Sequence, residues 1–127
     1  MKIQNKEILL IDNLKLHYSD SAGLFKTSNI VKAVDGVSFK LLSGETLGIV
    51  GESGSGKSSI CRLILNIIIK TAGKISWFGE DLDNYSKKEM KDFRKKVQII
   101  FQDPYGSLDP RMTIGSIIRE PLDIFNK

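Results

Sequence analysis

Near the start of the chain Leu14, Leu16 and Tyr18 alternate with Asn13, Lys15 and His17. That period predicts a half-buried strand over Ile8 to Tyr18. Ser19 to Asn29 breaks the pattern with Asp20, Gly23, Thr27 and Asn29 and reads as a loop, with Leu24 and Phe25 its only apolar pair. Val37, Phe39 and Leu41, set against Ser38 and Lys40, predict a second strand. Ser43-Gly44-Glu45 then turns the chain into Thr46-Leu47-Gly48-Ile49-Val50, which reads as a buried strand. After a glycine-rich interruption, Ile60, Leu63, Ile64, Ile67 and Ile68 recur at the spacing of one helical face, in a region ended by Gly73.

The later pattern is more broken. Ile75 to Phe78 predicts a short strand and Gly79-Glu80-Asp81 a turn. Ser86-Lys87-Lys88-Glu89 has the form of a capping box opening a second helix, whose packed stripe is Met90, Phe93 and Val97. Val97 to Phe101 predicts an apolar strand that stops at Gln102-Asp103-Pro104. A loop through Gly106 and Pro110 follows, then a short helix with Thr113 as N-cap, interrupted at Pro121. Strands in quick succession ahead of the first helix predict an antiparallel sheet added to an α/β core.

The glycine-rich interruption carries the chemistry. Gly51-Glu52-Ser53-Gly54-Ser55-Gly56-Lys57-Ser58 fits G-x-x-x-x-G-K-[ST], with a predicted strand before it and a predicted helix after it. Glycines let the backbone approach a polyphosphate, and the inward amides form an anion nest. Lys57 would reach the β- and γ-phosphates, the Ser58 hydroxyl would sit on Mg²⁺, and the helix N-terminus would favour the phosphate charge.

Composition narrows the class. With 127 residues and 41% hydrophobic content, the sequence suffices for one domain with a core. No apolar run approaches the length of a membrane span, and the segment Met1 to Glu7 lacks the apolar middle of a signal peptide. Cys61 is the sole cysteine, so no internal disulfide can form; its expected place is the buried face of the helix after the loop. The net charge of +4 is concentrated in Lys87, Lys88, Lys91, Arg94, Lys95 and Lys96. These read as the solvated face of a helix, without the aromatic or groove-reading residues of a nucleic-acid surface.

Three strings carry a wider resemblance. They are Ala33 to Phe39, Gly44 to Ser58, and Phe101-Gln102-Asp103-Pro104-Tyr105-Gly106-Ser107-Leu108-Asp109-Pro110-Arg111-Met112-Thr113. Together they resemble the ATP-binding subunits of ABC transporters, in the dipeptide, oligopeptide and nickel importer branch. The likeness runs from about Leu9 to the last residue and covers the front half of that family's nucleotide-binding domain. It implies a P-loop NTPase fold of the ABC type: an N-terminal antiparallel β subdomain plus an incomplete RecA-like core, with residues 1–127 as part of one domain. It implies ATP and Mg²⁺ as cofactors. The partners it implies are a second ATPase subunit and transmembrane permease subunits, on the cytoplasmic face of the cell membrane.

By the same resemblance, Tyr18 matches the aromatic that stacks on adenine, with Phe25 its rival. Gly51, Glu52, Ser53, Gly54, Ser55, Gly56, Lys57, Ser58 and Ser59 match the Walker A loop, and Gln102 matches the Q-loop glutamine. Ser58 and Gln102 are the implied metal contacts. Two departures stand out: Lys70 where relatives often carry proline, and Asp109 where this branch usually has asparagine.

The family's signature loop, Walker B carboxylates and switch histidine find no match in residues 1–127, and the one histidine, His17, precedes the P-loop. Ile8 to Asp12 and Val97 to Asp103 imitate a Walker B strand but match the antiparallel sheet and the Q-loop strand. No catalytic residue is therefore assigned, and the expectation is binding of Mg-ATP without turnover by this stretch. The alternatives are a stand-alone nucleotide-binding module or an inactive remnant of a truncated gene. In proteins resembling this family, later strands lie between the P-loop and Q-loop strands, so both runs are expected to keep unpaired edges and exposed apolar faces.

Overall fold

A computed structural model describes residues 6–19, 30–103 and 105–125. It falls into two units, Met1–Asn84 and Tyr85–Lys127. Strand β1 (Glu7–Ser19) is the centre of the first. It pairs antiparallel with β2 (Ile30–Leu42) on one side and β3 (Ala72–Trp77) on the other. A two-residue turn at Phe78–Gly79 leads to β4 (Glu80–Asp81), and the sheet order is β2-β1-β3-β4. Glu80 and Asp81, expected in a turn, thus pair with Trp77 and Ser76. The loop expected over Ser19 to Asn29, Phe25 included, lies beyond β1 and outside the described residues.

β1 buries Leu9, Ile11, Leu14 and Leu16. Strict alternation cannot put odd and even positions on one face. A bulge between Ile11 and Leu14 shifts the register against both neighbours and reconciles them. Asn13 takes a left-handed φ of 47° there, and its N–H donates to Ser38 Oγ at 2.8 Å. β3 starts against this bulge. Gly73 has φ 91°, and a Cβ on it would stand 2.4 Å from Asn13 O and 2.6 Å from Leu14 Cα. Only glycine fits that approach.

The helix α1 (Lys57–Ile64) lies over this sheet, burying Ile60 and Leu63. Its start abuts β2 at Ala33, and at its far end Trp77 Nε1 of β3 donates to Ile64 O at 2.7 Å. Since β1 lies between those strands, α1 crosses the apolar row of β1. The expected run to Ile68 is corrected. Ile67 N donates to Arg62 O and Asn66 N to Leu63 O, both at 2.9 Å, and Asn66 has φ 53°. That is a Schellman ending with asparagine in the left-handed position. Cys61 is also corrected, because it is exposed. It follows Ile60 by about 100° around the helix, at the flank of the packed stripe.

Two expected strands do not form. Thr46 to Val50 and Val97 to Phe101 have no ladder partner among the described residues. Val50 is 92% exposed and Ile100 94%. Apolar content supplies a face to bury, but a strand also needs a neighbour for its amides and carbonyls. The exposed apolar faces expected for these runs are present.

In the second unit, α2 (Lys87–Lys96) opens on the expected capping box. Glu89 N donates to Ser86 Oγ at 3.3 Å, and Ser86 N donates to Glu89 Oε2 at 2.7 Å. Phe93 is buried, with Tyr85 edge-on at 5.9 Å. The next helix, α3 (Ile114–Phe125), starts where Thr113 Oγ1 accepts from Ser116 N at 3.2 Å, so Thr113 is its N-cap. Pro121 does not interrupt it, because the helix runs on to Phe125.

Candidate functional site

The loop 51–56 is pinned at its far end by one close approach. Gly56 has φ 92°, and a Cβ there would stand 2.3 Å from Ala33 O. Ala33 is itself the extra residue of a bulge in β2, since Leu16 pairs with Val34 while His17 pairs with Lys32. The final glycine of the motif thus lets the loop seat on the sheet, a demand that the motif alone does not reveal. The chain then enters α1 directly, with Ile60 N bonded to Gly56 O at 2.9 Å. No side chain caps α1 and no acid lies in its first turn. Its opening amides remain available to an anion.

Lys57 folds back over its own loop. Its ammonium donates to Gly51 O at 2.7 Å, Glu52 O at 2.5 Å and Ser55 Oγ at 3.2 Å. Ser55 N donates to Glu52 O at 3.2 Å, which closes the turn beneath it. Ser53, Gly54 and Ser58 are exposed, and Ser59 is half-buried. One ammonium resting on two carbonyls and a hydroxyl, beside the uncapped amides that open α1, suits a polyphosphate: the available donors are cationic and amide, and the glycine at the helix entry admits close approach. Ser58 adds a hydroxyl of the kind a magnesium ion accepts.

Tyr18 lies in the same unit, opposite Val31 in the β1–β2 pair. It is 50% exposed. Val31 is two residues from Ala33, against which Gly56 sits, so the register brings Tyr18 to the end of the sheet that carries the loop. The neighbouring His17 has other work. Its Nε2 lies 2.9 Å from Asp35 Oδ1, and Lys32 Nζ donates to Asp35 Oδ2 at 3.0 Å. Lys32, then His17, hold the Asp35 carboxyl below its usual range. Sequence reasoning missed this trio, because it forms only once β1 and β2 are in register. Asp12, at the end of the first Walker B-like run, pairs in register with Lys74 of β3.

Gln102 belongs to the second unit, exposed on a bend. Next to it, Asp103 Oδ1 accepts from Tyr105 N at 3.1 Å and Gly106 N at 3.0 Å, which shapes the following loop. Both departures from the family pattern have partners. Lys70 is ion-paired with Asp83. Arg111 grips Asp109 through Nε at 3.0 Å and Nη2 at 2.9 Å, holding that carboxyl below its usual range. Asparagine could not offer Arg111 two charged oxygens.

Residues 34–122 match the model of the ABC transporter family. The chain belongs to that family. Among curated proteins it is 46% identical over 126 residues to the oligopeptide transport ATP-binding protein OppF of Salmonella typhimurium, covering 97% of this chain and 38% of that one. It is 48% identical over 110 residues to the dipeptide transport ATP-binding protein DppF of Escherichia coli, covering 87% of this chain and 33% of that protein. The chain therefore spans about a third of the length of these relatives. Among solved structures, the ATP-binding cassette MJ0796, in a dimeric post-hydrolysis state bound to ADP and Pi, superposes with a TM-score of 0.76. That match has 24% identity and covers 93% of this chain and 48% of that chain, and it shows the cassette fold. Among the described residues no helix is long and apolar enough to cross a membrane.

Proposed function

We propose that this chain is the ATP-binding portion of an ABC transporter ATPase subunit that energises import of peptides or a similar solute. One observation carries the reading: a helix-entry loop seated on the sheet through Gly56, with the Lys57 ammonium held over backbone carbonyls at its centre. The names of the relatives support the solute class, and the fold supports the cassette.

In this reading the amides at the start of α1 and the Lys57 ammonium bind the β- and γ-phosphates. Lys57 exchanges Gly51 O, Glu52 O and Ser55 Oγ for phosphate oxygens. Tyr18 stacks on the base, and the Ser58 hydroxyl would be a ligand of the magnesium ion. Bound Mg-ATP supplies the phosphoanhydride whose cleavage drives transport. Orienting water and stabilising the leaving charge require a carboxylate and a facing donor loop that residues 1–127 do not provide. This stretch therefore binds nucleotide, and turnover, docking on permease subunits and pairing with a second ATPase subunit belong to the assembled transporter at the inner face of the membrane.

Titration with a fluorescent ATP analogue tests the site. Wild type binds, and Lys57→Ala weakens binding about ten- to a hundredfold, the worth of a charge-assisted hydrogen bond. Ser58→Ala removes the dependence on magnesium. Equal binding by wild type and Lys57→Ala would sink the assignment. Phosphate release by the wild-type chain above the Lys57→Ala background would overturn the claim that it binds without turnover.

A further inference from the structure

The chain's excess positive charge has a definite place. On α2, at about 100° per residue, Lys87, Lys88, Lys91, Arg94 and Lys95 fall within an arc of about 120°. The acids fall outside it. Glu89 is turned back to the Ser86 cap, and Asp92 at the edge of the arc pairs with Lys95 at 3.1 Å. Lys95 also stands 5.7 Å from the Phe125 ring centre, so it is partly engaged. Lys87, Lys88, Lys91 and Arg94 make no ion pair among the described residues. The apolar stripe of Met90, Phe93 and Val97 lies on another side of the helix, and Phe93 is buried.

We propose that this cationic ridge of α2 rests on the anionic headgroups of a phospholipid bilayer and helps hold the subunit at the membrane surface. The ridge is about 12 Å long and carries no apolar side chain able to insert, so it fits a charged plane. A nucleic-acid partner is less well served, since the ridge has neither stacking aromatics nor base-reading amides. The choice of a bilayer rests on the importer reading, which places the subunit at a membrane.

Co-sedimentation with vesicles of phosphatidylglycerol and phosphatidylcholine in equal parts tests this without nucleotide, so it is independent of Lys57. The 127-residue chain should partition onto these vesicles, not onto phosphatidylcholine alone, and be released by salt. The triple variant Lys87→Gln, Lys91→Gln, Arg94→Gln should lose about a hundredfold in partition, roughly fivefold per cation. A control with the same net charge, Lys6→Gln, Lys40→Gln, Arg62→Gln, should lose less than about a tenth of that factor. Lys87→Arg, Lys91→Arg, Arg94→Lys keeps the charge and should bind as wild type, which separates charge from any loss of fold. Equal losses in the ridge and control variants would overturn the proposal. So would indifference to anionic lipid, or tighter ridge-dependent binding to duplex DNA.

Discussion

The runs Thr46 to Val50 and Val97 to Phe101 are at least as apolar as strand β1, yet they end in the opposite environment. Leu14 of β1 is fully buried, while Val50 and Ile100 are almost wholly exposed. The difference is neighbours. β1 is bonded on both edges, by β2 and β3, and roofed by α1. The other two runs have no ladder partner among the described residues. Burial in a sheet is thus a property of the set of strands rather than of one strand's composition.

The largest expected effect tests that contrast directly. Leu14→Ala should cost about 3 kcal/mol in denaturant unfolding, since it empties a filled site between two strands and a helix. Val50→Ser should change stability by less than about 0.5 kcal/mol and raise the soluble concentration, because it removes an exposed apolar side chain. Comparable losses from the two variants would mean that Thr46 to Val50 is buried in solution, and the contrast would fail.

The same contrast explains what was legible in the sequence. Local signals were read well where a few neighbouring residues decide the outcome. The Ser86–Glu89 capping box and the Thr113 cap both form as their spacing predicts. Signals that depend on distant chain are not legible from local composition. Thr46 to Val50 and Val97 to Phe101 have strand composition but no partner here. The isoleucines continue past Asn66 and predict a helix about a turn longer than α1, which the left-handed backbone of Asn66 stops. The bulge at Asn13 joins two alternating runs of opposite phase, and the sequence pattern shows only the second of them clearly. At the candidate site, the motif predicts a loop that opens a helix, and α1 does begin at Lys57. The seat of Gly56 on Ala33 and the His17–Asp35–Lys32 trio are not legible from the motif, because both are set by strand register.

A second test works within the sheet. Gly73→Ala should cost about 2 to 3 kcal/mol, because a methyl group meets the backbone of Asn13 and Leu14 in a left-handed conformation. Asn13→Gly, across the same contact, should stay within about 1 kcal/mol, since glycine accepts the left-handed backbone and the bond from residue 13 N–H to Ser38 is kept. If Gly73→Ala were neutral, β3 would not lie against the bulge. The shared core of β1 and β3 would then lose its explanation.

The smallest effects concern the second unit, where Phe93 is the one buried apolar residue among those described and local bonds matter more. Ser86→Ala removes the α2 cap and should cost about 1 kcal/mol, read as faster amide exchange in the first turn of α2. The Ser86 hydroxyl, then its amide, hold the Glu89 carboxyl below its ordinary value of 4.5. A carboxyl depressed in the folded state binds fewer protons there than when unfolded, so its contribution is full above that value. It is lost as pH falls through the lower, folded value. Protection of the α2 amides should therefore decline on acidification below 4.5. Glu89→Gln, which keeps the reciprocal bond but cannot titrate, should flatten the decline. The β1 amides serve as the internal reference, because their protection comes from buried strands on both edges. A fall in β1 protection of the same size, equally flattened by Glu89→Gln, would show that the two regions do not differ in how they are held.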